Sequence, residues 1–197
     1  MSHLIFDTET SGFPDKKIPL DHPNQARVLS IAAILLDDNF QEVSSFYSLI
    51  EVSDSIIIHP GASAANGITK EQCQRYGAPI QLALGVLSYM KMQADFQVGH
   101  NIQFDNAMIT NEIILLGDSS LTNCEKNAYC TMQATTDICR LPGKYGKFKW
   151  PKLQEAYTHI FNKPFSNAHN ALADVRACAE IWQWLIKNQH VILPKVV

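Results

Sequence analysis

A chain of 197 residues, 46% apolar and 18% charged, holds enough apolar material for one sizeable core, and a single domain over residues 1–197 is expected. Its net charge of −3 excludes a global basic field, so any contact with nucleic acid would need a local patch. Five scattered cysteines without Cys-x-x-Cys spacing argue against zinc and a disulfide framework; with no long apolar run and no basic leader, a cytoplasmic protein without membrane contact is expected.

The first expected strand is a short apolar run, Leu4 to Phe6, that leads into Asp7-Thr8-Glu9-Thr10-Ser11-Gly12. Side chains two apart in a strand share a face, so Asp7 and Glu9 project together from its end. Carboxylates held that close repel, and one pKa rises unless a cation lies between them. Oxygen-only ligation suits Mg²⁺ or Mn²⁺. Taken alone, such a pair is more often a solvated strand end or turn than a functional site. Thr10-Ser11-Gly12 reads as a tight turn, with Gly12 admitting close approach of a backbone or ligand.

Residues 14–25, polar and proline-rich, read as an exposed loop. Residues 28–36 are near-continuously apolar and suit a central buried strand, and after the Asp37-Asp38-Asn39 turn residues 43–51 complete an antiparallel meander. Residues 53–69, with Pro60, Gly61 and Gly67, read mostly as loop, ending in a capped helix start at Thr69-Lys70-Glu71-Gln72. Pro79 opens a helix to about Gln93, residues 96–99 form a short strand, and Asn101 caps a helix that stops at Gly117. Residues 127–131 form a last strand followed by a helical turn through Ile138. A basic, glycine-punctuated loop spans residues 140–149. Pro151 then opens a helix with Leu153, Tyr157 and Ile160 on one face, and residues 171–188 form the final helix. A meander followed by alternating helices and strands predicts one α/β domain with a single mixed sheet of about five strands flanked by helices.

Two further segments carry acids. His100-Asn101-Ile102-Gln103-Phe104-Asp105 falls at a strand-to-helix junction and places Asp105 in a first helical turn, where the helix dipole alone also favours an acid. His169 and Asp174 would point about 140° apart on an ideal helix, so they converge only if His169 precedes the helix and Asp174 lies on its first turns. Asp-x-Glu, His-Asn-x-x-Phe-Asp and His-x-x-x-x-Asp, in that order, resemble the DEDDh family of 3′–5′ exonucleases. That family includes the proofreading subunit or domain of bacterial replicative polymerases and several RNA-trimming enzymes. The resemblance runs from His3 to about Gln189.

The resemblance implies an RNase H-like fold, with Asp7, Glu9, Asp105 and Asp174 holding two divalent cations, Mg²⁺ or Mn²⁺, and His169 acting as general base. It implies release of nucleoside 5′-monophosphates from a 3′ end. The wall around the last nucleotide maps to Thr10, Gly12 and Phe13, with Asn101 and Phe104 placed to support the end group or the metal site. Asn66-Gly67-Ile68 resembles a family loop that often has His before Gly-Ile, so Asn66 is a departure. Lys144, Lys147, Lys149 and Lys152, with Arg140 and interleaved Tyr145, Phe148 and Trp150, read as a phosphate contact, Lys147 and Lys149 among its substrate-binding residues. DNA is favoured over RNA because the Thr10-Ser11-Gly12 region and compact length resemble proofreading-type domains. The alternatives are an exoribonuclease or a polymerase-associated binding subunit. A haloacid-dehalogenase-type phosphatase would need Asp-x-Asp, and Glu9 departs from it.

Overall fold

The computed structural model describes residues 1–118, 121, 127–165 and 171–193. Its centre is one five-stranded sheet in the order β3-β2-β1-β4-β5. The strands are β1 (His3–Thr10), β2 (Val28–Leu36), β3 (Glu42–Leu49), β4 (Phe96–Gly99) and β5 (Ala128–Cys130). β1, β2 and β3 form the antiparallel meander, while β4 runs parallel to β1 and β5 parallel to β4. The helices are α1 (Pro60–Asn66), α2 (Lys70–Tyr76), α3 (Ile80–Gln93), α4 (Ile102–Leu116), α5 (Thr131–Cys139), α6 (Leu153–Phe161) and α7 (Ala171–Lys187). The mixed sheet with flanking helices is the RNase H-like architecture expected.

β1 divides the core by its alternation. Leu4 and Phe6 pack into one layer with Leu84, Leu87 and Met90 of α3 and Met108 and Ile109 of α4. Ile5 faces the other layer with Tyr157 of α6 and Val175, Ile181 and Trp182 of α7. A strand buried on both faces reads as a near-continuous apolar run, which is how β2 reads.

Two local expectations are corrected. Residues 53–69 are not mostly loop: Pro60 stands in the first turn of α1, the Gly61 N–H donates to His59 Nδ1 at 3.1 Å, and Gly67 ends the helix at φ 69°. Proline and glycine here mark a helix start and stop rather than a loop. Asn101 does not cap α4 through its side chain; its own backbone turns left-handed, φ 83°, to reverse the chain after β4. At α2 the expected capping box is present, with the Gln72 N–H on Thr69 Oγ1 at 3.2 Å and the Thr69 N–H on Gln72 Oε1 at 2.8 Å. Among the described residues no helix is long and apolar enough to cross a membrane.

Candidate active site

The geometry that gathers the acids follows from two registers. β4 pairs in parallel with β1 through His3↔Phe96, Leu4↔Gln97 and Ile5↔Val98, so both strands point their carboxyl ends the same way. The chain leaves β4 at Gly99 and enters α4 at Ile102, which brings Asp105, in the first turn of α4, beside the end of β1. A Cβ on Gly99 would stand 3.0 Å from the Ile102 Cβ, so the reversal is as tight as glycine permits.

The second register belongs to α7. Trp182 Nε1 donates to His3 Nδ1 at 3.2 Å, and the His3 ring is stacked against Phe40 and Phe96 at centroid distances of 4.7 and 5.3 Å. From His3 to Asp7 the strand advances about 13 Å. From Trp182 back to Asp174 the helix advances about 12 Å. The Trp182–His3 anchor therefore brings Asp174 within electrostatic reach of Asp7, with Cys178 buried midway along α7 between Asp174 and Trp182.

The acids repel one another. Removal from water raises the Asp7 carboxyl well above its ordinary range, and the charges of Asp105, Glu9 and Asp174 push it further in the same direction. Asp105, 2% exposed, is pushed up to about 7 by burial. Thr8 opposes that rise: its backbone N–H and its hydroxyl both donate to Asp105 Oδ1, at 3.0 and 2.7 Å. Thr8 points away from Asp7 and Glu9 on the strand, and so joins the α4 acid to the β1 pair.

The donor set fits a hard divalent cation: it is all carboxylate oxygen, and the repulsion that lifts Asp7 is what a cation would offset. Among the described residues no three His, Cys, Asp or Glu side chains form a group that could hold an ion. His169 lies outside the described residues.

Beside the acids opens a cleft of about 860 Å³, lined by Glu9, Thr10, Gly12, Phe13, Asn66 and Phe104 among others. Phe13 is 87% exposed, lines the cleft and meets Phe104 in a T-shaped contact at 5.9 Å between ring centres. Thr10 hydroxyl donates to the Gly12 carbonyl at 2.8 Å and shapes the turn. Asn66 does not present a ring; its Nδ2 donates to the Thr10 carbonyl at 3.2 Å and its Oδ1 accepts from the Ile68 N–H at 3.0 Å, tying α1 to the end of β1. Asn101, Lys147 and Lys149 do not line the cleft. Lys149 Nζ donates to Glu155 at 2.6 Å, while Tyr145, Phe148 and Trp150 of the same loop are exposed.

Sequence reasoning missed His59, Ile57, Ala62 and Ala65 as cleft walls because it read α1 as loop. It also passed over Thr8, whose only signal was its place between two acids. His100 was read only as part of a motif. Its Nε2–H donates to the Pro151 carbonyl at 2.9 Å and its Nδ1 meets Thr131 Oγ1 at 3.0 Å, fastening the end of the basic loop to the β4–α4 junction.

The chain is similar to solved structures of E. coli exonuclease I. In complex with a dT13 oligonucleotide the TM-score is 0.75 at 19% identity, over 95% of this chain and 41% of that one. A zinc-ion-bound form of the same enzyme with single-stranded DNA gives 0.72 at 20% identity, again over 95% and 41%. A product-bound exonuclease I gives 0.74 at 18% identity, over 95% and 44%. The chain thus spans about two fifths of the length of these neighbours. No curated protein matches it in sequence. The family model RNase T, described as exonuclease, matches residues 4–182. This leaves no place for the phosphatase reading: the chain belongs to the exonuclease family, among the DEDD 3′–5′ exonucleases.

Proposed function

We propose that this chain removes nucleotides singly from the 3′ end of single-stranded DNA and releases nucleoside 5′-monophosphates. The observation that supports the reading is the mutual repulsion that ties Asp7 to Asp105, Glu9 and Asp174, with Glu9 lining the adjoining cleft. The four carboxylates would hold two divalent cations, Mg²⁺ or Mn²⁺. The chemistry such ions supply is neutralisation of phosphate charge and a more acidic water. His169, by its place in the motif, takes the proton of the attacking water on an imidazole nitrogen near neutral pH. Thr8 keeps one Asp105 oxygen occupied and so orients the other.

Phe13 offers its exposed ring to a terminal base, and stacking of this kind contributes about 1–3 kcal/mol. Thr10 and Gly12 form the wall beside it, and Asn66 holds that wall to α1. Outside the cleft, exposed Tyr145, Phe148 and Trp150, with Lys144 and Lys147, form a stacking and phosphate-binding strip for the rest of the strand. The neighbours bound to dT13 and dA16 support DNA as the polymer. Unpaired Cys73, Cys130, Cys139 and Cys178 support work in the cytoplasm. Association with a polymerase, which the family resemblance suggests, is tested by co-elution.

The test is digestion of DNA and RNA oligomers of one sequence, labelled at the 5′ end, with Mg²⁺ or Mn²⁺. A ladder that shortens from the 3′ end, with 5′-mononucleotides as product, is expected for DNA. Internal cuts, or release from the 5′ end, would overturn the reading; faster loss of RNA would move the substrate to RNA.

A further inference from the structure

The outer layer formed by α3 and α4 carries its charges inward. These helices hold 14 and 15 residues, and their charged side chains are Lys91, Asp105 and Glu112 alone. Each is at most 2% exposed. Lys91 Nζ donates to Asn106 Oδ1 at 2.9 Å and lies 4.4 Å from the Phe6 ring centre, and Glu112 receives Arg27. The solvent face of α3 instead carries Leu82, Val86, Tyr89 and Met92, between 40% and 64% exposed, and α4 adds exposed Ile114. A surface helix ordinarily turns charged residues to water. Loss of charge together with Tyr and Met is the composition of a protein interface core.

The spacing along α3 says what covers it. Leu82, Gly85, Tyr89 and Met92 follow one another at intervals of three, four and three, and so form one stripe. That sequence of intervals is the same read in either direction. When α3 packs antiparallel on its own copy with the two-fold axis level with Leu87, Tyr89 of each chain falls opposite Gly85 of the other, and Leu82 opposite Met92. A Cβ added to Gly85 would meet nothing within 4 Å, so the position is an open notch for the ring. No charged side chain of α3 reaches the face to repel its like across the axis. We propose that α3 is the seam of a two-fold symmetric dimer, with a second copy of this chain seated on Leu82, Gly85, Tyr89 and Met92.

The size suits a weak dimer. A helix of 14 residues is about 21 Å long. With a neighbour packed about 8–10 Å away, the layer offers roughly 400 Å² in projection, and more once side-chain relief is counted. Doubled over both partners that is about 800 Å², below the roughly 1,200–2,000 Å² of stable specific interfaces and in the range of weak, transient ones, so association no tighter than micromolar is expected.

Sedimentation of the full chain between roughly 1 and 100 μM, the span that brackets such a dimer, tests this. The wild-type mass should double across the series, and Tyr89→Phe should behave alike. Tyr89→Glu should stay monomeric, with a thermal midpoint equal to wild type when both are melted at about 1 μM, where the wild type is also monomeric, since the ring is exposed. Gly85→Leu should also stay monomeric while its midpoint rises, because a helical glycine has been replaced. Misfolding would lower the midpoint, so seam loss and fold loss are separated. A wild-type chain that remains monomeric throughout, or Tyr89→Glu and Gly85→Leu proteins that still dimerise, would overturn the proposal.

Discussion

Asp105→Asn makes the electrostatic state of the acid cluster measurable without turnover. The substitution keeps an oxygen to accept from Thr8 and removes the charge that burial disfavours. The wild-type carboxyl has a folded-state pKa of about 7 against 3.8 when unperturbed. Because the folded value is the higher one, the folded protein keeps its proton where the unfolded chain has lost it. Stability from this group is therefore full at low pH and falls as pH rises through about 7. Between about pH 5.5 and about pH 8 the loss integrates to about 2 kcal/mol. In a domain of 197 residues that corresponds to roughly 4–8 °C in thermal midpoint.

His3 titrates in the opposite sense over part of the same range, but its contribution cancels in the difference between variant and wild type. Melts of both proteins in a chelator across that range are the assay. The Asp105→Asn variant should gain on wild type by that amount as pH rises, and the Asp7 carboxyl, relieved of the Asp105 charge in the variant, widens the gap in the same direction. Saturating Mg²⁺ at the higher pH should then raise the wild-type midpoint and leave the variant nearly unmoved. A gap that stays constant with pH, or an equal response of both proteins to Mg²⁺, would refute the reasoning.

Burial holds the His3 ring at a pKa of about 4 against 6.5 in the unfolded chain, so wild-type stability should drain away as pH falls below 6.5, by up to about 3 kcal/mol near pH 4; His3→Gln should flatten that acid limb in thermal melts. Glu112 accepts from Arg27 Nε and Nη2 and from the Val28 N–H at 2.9, 2.6 and 2.9 Å. Glu112→Ala should cost toward the lower end of about 3–5 kcal/mol in urea unfolding, since Arg27 is partly hydrated, and Glu112→Gln clearly less. Phe13→Ala, at an exposed position, should leave stability within about 0.5 kcal/mol. It should raise KM for DNA by an amount equivalent to about 1–3 kcal/mol, read from initial rates.

Much of this site was legible because its parts are local. Alternation alone puts Asp7 and Glu9 on one face of β1, and the near-continuous apolar run of β2 marks it as a buried strand of the sheet. The break between β4 and α4 was equally plain, with Asp105 in the first turn after it. What stayed hidden depends on tertiary placement. Pro60 and Gly61 punctuate loops and helix starts alike, and only the His59 cap distinguishes them. Asn101 is a good capping residue that serves instead as the left-handed hinge. Thr8 gains its role only once α4 brings Asp105 across the sheet. In α3, apolar residues stand all round the helix, so periodicity could mark Leu84, Leu87 and Met90 as core without revealing that Leu82, Val86, Tyr89 and Met92 face outward.

The most direct test of the central claim is the single-turnover rate of 3′-end removal from single-stranded DNA by Asp7→Asn, Glu9→Gln, Asp105→Asn and Asp174→Asn proteins, each titrated with Mg²⁺ and Mn²⁺. If the four carboxylates act as one cation-holding set, each variant loses at least about a hundredfold in rate while remaining folded, and chelation abolishes wild-type cleavage. A folded variant at any of these four positions that cuts at the wild-type rate, or wild-type cleavage that persists in chelator, would contradict it.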